Sequence, residues 1–163
     1  EGKRGIEFDH LALLVKIPDS STRWLADVGF GDSFIEPLNF EERGEQARGL
    51  RAYRLEEISD GFVTWQKNYD GAWERQYFFD VTPRTFPQDY EAGCLYHQTS
   101  PNTSFTQHSI ISRATDDGRV SLESDRLTVT RNGKRAKRTL ESRDEYHKLL
   151  KDHFGIVLQK EIA

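Results

Sequence analysis

The first legible pattern along the chain is an apolar run, Leu11 to Ile17, rich enough for a buried strand. The cluster Pro18-Asp19-Ser20-Ser21 that follows has turn chemistry. A strand-like pattern resumes from Arg23 to Val28, and Gly29 and Gly31 punctuate its end. These segments predict a β-hairpin. With an even-numbered loop centred on Asp19-Ser20, Ile17 faces Thr22, Asp27 opposes Ala12 and His10 opposes Gly29. Side chains alternate with a period of two, so His10 and Asp27 fall on one face as diagonal neighbours. Diagonal Cβ atoms lie roughly 7–8 Å apart, within reach of a carboxylate–imidazole hydrogen bond. An odd-numbered loop would put the two on opposite faces.

Most of the remaining pattern is also β-rich. Arg51 to Leu55 predicts a strand and Asp60-Gly61 a turn; Phe62–Asn68 and Ala72–Phe79 flank Asp70-Gly71, a hairpin signal. Trp73, Tyr77 and Phe79 are expected on one face, as barrel core. Thr82 to Pro87 is a connector, and Asp89 is placed to cap a short helix running toward Tyr96. Thr99 to Ser104 is a polar loop ending at Phe105. A second β-rich unit follows: Ser109–Ala114 and Arg119–Leu122 around Asp116-Asp117-Gly118, then Leu127–Arg131 before Asn132-Gly133. Ser142 with Glu145 matches a capping box. Tyr146, Leu149 and Leu150 continue it as a helical apolar stripe, and Gly155 suits the position just past the helix end. The pattern implies a mainly β, α+β fold with a boundary between residues 82 and 105.

Composition sets limits. The 163 residues are 36% hydrophobic, 12% aromatic and 31% charged, with net charge −4. That balance gives no reason to expect nucleic acid or an acidic membrane surface as partner. One cysteine, Cys94, excludes an internal disulfide framework and fits a reducing, cytoplasmic setting. No apolar run approaches the roughly 20 residues of a membrane span, and no signal peptide is visible. The chain contains no methionine, not even an initiator, which is expected either of a piece of a longer protein or, more mildly, of a processed amino terminus.

A histidine entering one strand and an aspartate leaving its partner form the orienting half of a nucleophilic triad. The bland reading is a strand-edge histidine and a turn aspartate. Cys94 beside Leu95 and Tyr96 reads as a small buried apolar residue rather than the nucleophile. His97, His108, His147 and His153 lack metal-ligand spacing, so no metal is expected. The basic run Lys134-Arg135-Ala136-Lys137-Arg138 reads as a solvated face. Gly29-Phe30-Gly31 lacks the lysine and helix signature of a phosphate loop.

His10-Leu11-Ala12-Leu13-Leu14-Val15 and, with sixteen residues between the histidine and the aspartate, Asp27-Val28-Gly29-Phe30-Gly31 resemble the central motifs of the arylamine N-acetyltransferases. Pro37-Leu38, Tyr53-Arg54-Leu55, Trp73 with Tyr77-Phe78-Phe79, Thr99-Ser100-Pro101 with Phe105, Asp117-Gly118-Arg119 and Phe154-Gly155-Ile156 extend the resemblance in order along essentially the whole chain. The resemblance implies an antiparallel β-barrel carrying the His–Asp pair over residues 1–95. A small α/β lid with a C-terminal helix would follow over 96–163. It implies a Cys-His-Asp triad with His10 and Asp27 as catalytic members and the cysteine upstream of Glu1, in an amino-terminal helical region. The implied reaction is ping-pong acetyl transfer from acetyl-coenzyme A to a small-molecule arylamine or hydrazine, of the kind used in xenobiotic metabolism. By the same resemblance Gly29, Phe30 and Gly31 would border the acceptor, and Thr99, Ser100 and Phe105 would lie near coenzyme A. Phe30 as plain barrel core is the alternative. Asp32 stands where many relatives carry another glycine. Without a nucleophile the chain alone is expected to be inactive, and the competing reading is a non-catalytic β-barrel binding module derived from that family.

Overall fold

A computed structural model describes residues 5–158. They fall into two compact units, the first ending at Ser100 and the second beginning at Pro101.

The first unit opens with the hairpin β1 (Leu13–Lys16) and β2 (Arg23–Ala26). Its register pairs Leu13 with Ala26 and Lys16 with Arg23, which is the even-loop register expected from the turn residues. The loop closes through the Ser20 amide on the Ile17 carbonyl and the Thr22 amide on Ser20 Oγ. The short strand β3 (Leu38–Asn39) pairs with the far side of β2. Strands β4 (Gln46–Arg48), β5 (Arg51–Ile58), β6 (Gly61–Lys67) and β7 (Trp73–Phe79) form a four-stranded antiparallel meander in that order. Leu25, Phe34, Leu38, Phe40, Tyr53 and Leu55 make the core of this unit, with Ala12, Phe62 and Phe79 packed at its margin.

Two expectations need correction here. The run Leu11–Ile17 is not a buried strand: Leu13, Val15 and Ile17 are 54%, 41% and 52% exposed. The apolar run fixed the strand, but β1 is the edge of a three-stranded sheet, and burial depends on a covering element that periodicity does not report. Nor do Trp73, Tyr77 and Phe79 share a face. The β6–β7 register slips between Thr64 and Trp65: Thr64 pairs with Tyr77, but Trp65 pairs with Arg75. One extra residue, Gln76, turns Arg75 and Trp73 to the side opposite Tyr77 and Phe79. There Trp73 stacks with the Arg54 guanidinium, 4.8 Å from its ring centre.

After β7 a single 3-10 turn (Gln88–Tyr90) leads into helix α1 (Glu91–Thr99). Asp89 does not cap this helix; its carboxylate reaches back to accept the Thr85 amide at 2.7 Å. Cys94 lies exposed on α1, with Gln98 Nε2 on its sulfur, so it is not a buried apolar residue.

The second unit is an antiparallel meander of β8 (Ile110–Thr115), β9 (Gly118–Glu123), β10 (Arg126–Arg131) and β11 (Lys134–Thr139), followed by helix α2 (Arg143–Phe154). Asn132 and Gly133 both adopt positive φ, 46° and 79°, as a two-residue hairpin turn requires. Ser142 Oγ accepts the Glu145 amide at the start of α2, and Gly155 ends it at φ 70°. Leu149 and Leu150 bury against Val120, Leu122 and Leu127. Strand β11 is exposed throughout. The fold is mainly β, built from antiparallel sheets with two helices, and no helix among the described residues is long and apolar enough to cross a membrane.

Candidate active site

The β1–β2 register carries the chain ends of the hairpin past the last strand pair and sets His10 near Gly29 and Asp27 near Ala12. His10 Nε2 and Asp27 Oδ2 meet at 2.8 Å. The Asp27 side chain is wholly buried, while the His10 side chain keeps 23% of its surface exposed. The second carboxylate oxygen of Asp27 accepts the amides of Gly29 and Phe30 at 3.0 and 3.1 Å. One oxygen thus holds the imidazole and the other shapes the loop that follows, a local bonding pattern that aspartate offers at turns.

Burial pushes the Asp27 carboxyl upward. The hydrogen bond and positive charge of His10, with the amides of Phe30 and Gly29, outweigh burial and hold Asp27 below the ordinary aspartate value. The carboxylate is therefore a fixed anion that orients the ring through Nε2 and leaves the opposite edge, Nδ1, to face a second partner.

Packing fixes the ring further. Phe30 meets His10 edge-on with centroids 5.4 Å apart, and Tyr77 lies 5.2 Å from His10 and 5.1 Å from Phe30. A Cβ at Gly29 would stand 3.2 Å from His10 Cε1, tighter than ordinary contact, so the ring uses the space a side chain would take. Gly31 meets nothing within 4 Å in the same test. The loop is tied down at its far end by Asp32, whose carboxylate accepts Arg51 Nη2 at 2.9 Å and whose carbonyl accepts Gln66 Nε2 at 2.6 Å. Phe34, two residues on, is buried with its ring edge-on to Tyr53. Phe30 is therefore held between an aspartate anchor on each side.

The sequence reading placed Tyr77 in the core and missed its relation to the pair. Its hydroxyl is sealed from solvent beside the Asp27 carboxylate and the Thr64 hydroxyl, without a well-aligned hydrogen bond to either. Burial first, then the Asp27 charge, drives its pKa far upward and keeps the phenol neutral. Only the β6–β7 bulge, which alternation cannot show, brings Tyr77 here.

The other sequence-derived candidates take no part in these contacts. Thr99 Oγ1 donates to the Leu95 carbonyl at the end of α1, and the Ser100 amide closes that helix on Tyr96. Phe105 belongs to the second unit and is 65% exposed. No cluster of three or more potential metal ligands occurs among the described residues.

Comparison with known proteins shows the family of the chain. A family model described as N-acetyltransferase matches residues 1–163. The chain is 31% identical over 151 residues to an arylamine N-acetyltransferase of Mycolicibacterium smegmatis, covering 91% of this chain and 54% of that protein. It is 34% identical over 149 residues to one of Mycobacterium tuberculosis H37Rv, covering 90% and 52%. The structure of Mycobacterium marinum arylamine N-acetyltransferase in complex with CoA superposes with a TM-score of 0.82 at 30% identity, over 89% of this chain and 53% of that one. The chain spans about half the length of the curated relatives it matches. An aspartate-oriented histidine in a fold shared with these enzymes places the chain in the arylamine N-acetyltransferase family.

Proposed function

We propose that the protein transfers an acetyl group from acetyl-coenzyme A to the nitrogen of an arylamine or hydrazine in two steps through a cysteine thioester. The observation that supports this most is the His10–Asp27 hydrogen bond with the rest of the imidazole still partly open. The nucleophile is a cysteine contributed by residues outside this sequence. His10, positioned by Asp27, takes the proton of that cysteine and so favours its thiolate.

In the first step the thiolate attacks the acetyl carbon, the new C–S bond forms, the old one to coenzyme A breaks, and His10 passes the proton it took from the cysteine to the leaving coenzyme A sulfur. In the second, the amine nitrogen attacks the same carbon, His10 accepts the amine proton, and the cysteine leaves as thiolate. Phe30, held over the imidazole, forms part of the acceptor wall, with Gly29 keeping that wall free of a side chain. Family likeness also supports Thr99, Ser100 and Phe105 as neighbours of coenzyme A.

Intact-mass measurement of the full-length protein after exposure to acetyl-coenzyme A tests this reading. One acetyl group is expected on a cysteine outside this chain, discharged by an arylamine, and absent in His10→Gln. Acetylation of Cys94, or a His10→Gln variant that acylates at the normal rate, would overturn it. The 163 residues alone are expected to gain no acetyl group.

A further inference from the structure

The imidazole of His10 is fixed by Asp27 and by two rings, but its backbone must also arrive at the right place. The chain just before it does so in an unusual way. Phe8, two residues upstream, has a left-handed backbone with φ 59°, a conformation that bulky side chains avoid. Arg84 lies over its ring at 4.9 Å, and Tyr90 meets the ring edge-on at 6.2 Å. Arg84 is itself paired with Asp80 at 2.7 Å.

Helix α1 then comes against the backbone itself. A Cβ at Gly93 would fall 2.7 Å from the Phe8 carbonyl oxygen, 3.3 Å from its carbonyl carbon and 3.4 Å from the Asp9 Cα. The obstructing atoms are main chain, one and two residues ahead of His10, and cannot swing aside as the end of a long side chain would. Gly93 is buried, and glycine is among the poorest helix formers. Its presence there is accounted for by the close approach rather than by the helix.

We propose that Gly93 is a positioning residue: by letting α1 rest directly on the Phe8–Asp9 backbone, with Arg84 clamping the Phe8 ring, it sets the His10 imidazole in register with Asp27. The inference uses the assignment of His10 as the acid–base group, but the placement it describes is measurable without any turnover.

The test is Gly93→Ala in the full-length protein, read in two ways. The first is the low-field proton resonance of the His10 ring N–H shared with Asp27, assigned by its loss in His10→Gln. The second is the rate of acetyl-enzyme formation. Helix propensity alone would make alanine neutral or better at this position. We expect instead that the resonance moves or disappears and that the rate falls about tenfold or more, as sub-ångström misplacement of a reacting group does. A wild-type resonance and rate in Gly93→Ala would overturn the proposal. Should Gly93→Ala not fold, the decision passes to Arg84→Ala, which frees the Phe8 ring while leaving the helix packing intact. A smaller change in the same direction then supports the proposal, and unchanged readouts overturn it. A full-length protein that does not acetylate removes the rate but not the resonance, so failure of the functional assignment and failure of this inference remain separate results.

Discussion

The two units bury different things. The second has an apolar core of Val120, Leu122, Leu127, Leu149 and Leu150, and its buried polar residues, Thr103 and Thr130, carry only hydroxyls. The first combines an apolar core with the closed-off carboxylate of Asp27, the nearly buried guanidinium of Arg51 and the amides of Gln46 and Gln66. Charged and amide groups are costly to remove from water unless partnered, and here each is tied to a named partner: His10, Asp32, Asn39 and Asp32 respectively. The difference separates a unit whose interior only holds the fold from one whose interior also holds a chemical group in place. Buried polar networks of this kind fix geometry more than they add stability.

The largest effect that would sharpen this contrast is loss of activity without loss of fold. Asp27→Asn keeps an oxygen for the Gly29 and Phe30 amides but presents a neutral amide to His10, removing the charge that sets its tautomer. Turnover of an arylamine by the full-length protein is expected to fall by about 10³-fold or more, with the circular dichroism spectrum unchanged. A variant retaining more than a tenth of the activity would show that the pair is a structural contact.

The opposite behaviour is expected in the second unit. Leu150 is 4% exposed and sits among Val120, Leu122 and Leu127. Leu150→Ala is expected to cost about 2–5 kcal/mol of that unit's stability, read by denaturant melting, while the His10 ring resonance stays where it is in the wild type. Movement of that resonance would mean the division of labour is wrong.

How much of this division could be read from the sequence also differs between the units. In the second, the Asn132-Gly133 turn, the Ser142 and Glu145 cap and the stripe through Leu149 and Leu150 were all legible, because each is a local signal with a local cause. The hairpin register that joins His10 to Asp27 was legible for the same reason: an even loop sets it. Besides the Asp89 cap and the burial of Cys94, which failed, three features were not. Exposure of Leu13 and Val15 depends on what covers an edge strand. The arrival of Tyr77 beside Asp27 depends on a one-residue bulge sixty-odd residues from His10 in sequence. The seat of Gly93 on Phe8 depends on a close approach between segments far apart in the chain. Each is a tertiary outcome that alternation and turn chemistry do not encode.

The smallest expected effect concerns acid. Asp27 has a folded value below its unfolded one, with the upward push of burial outweighed by His10 and by the Phe30 and Gly29 amides. Its contribution to stability is therefore fully present above the unfolded aspartate value of about 4. It is lost as pH falls through the lower folded value, because the unfolded chain then binds the proton first. Glu145 in the second unit is also lowered, by the Glu141 amide and by Arg138, but it lies at the surface, a quarter exposed beside an exposed arginine, where water and salt screen it. Melting temperature followed downward from neutral pH should thus lose part of its acid slope in Asp27→Asn and keep it in Glu145→Gln, with the Asp27 effect insensitive to added salt. Equal slopes in the two variants, or an Asp27 effect erased by salt, would mean that the carboxylate is hydrated and that the first unit does not shield it as its burial requires.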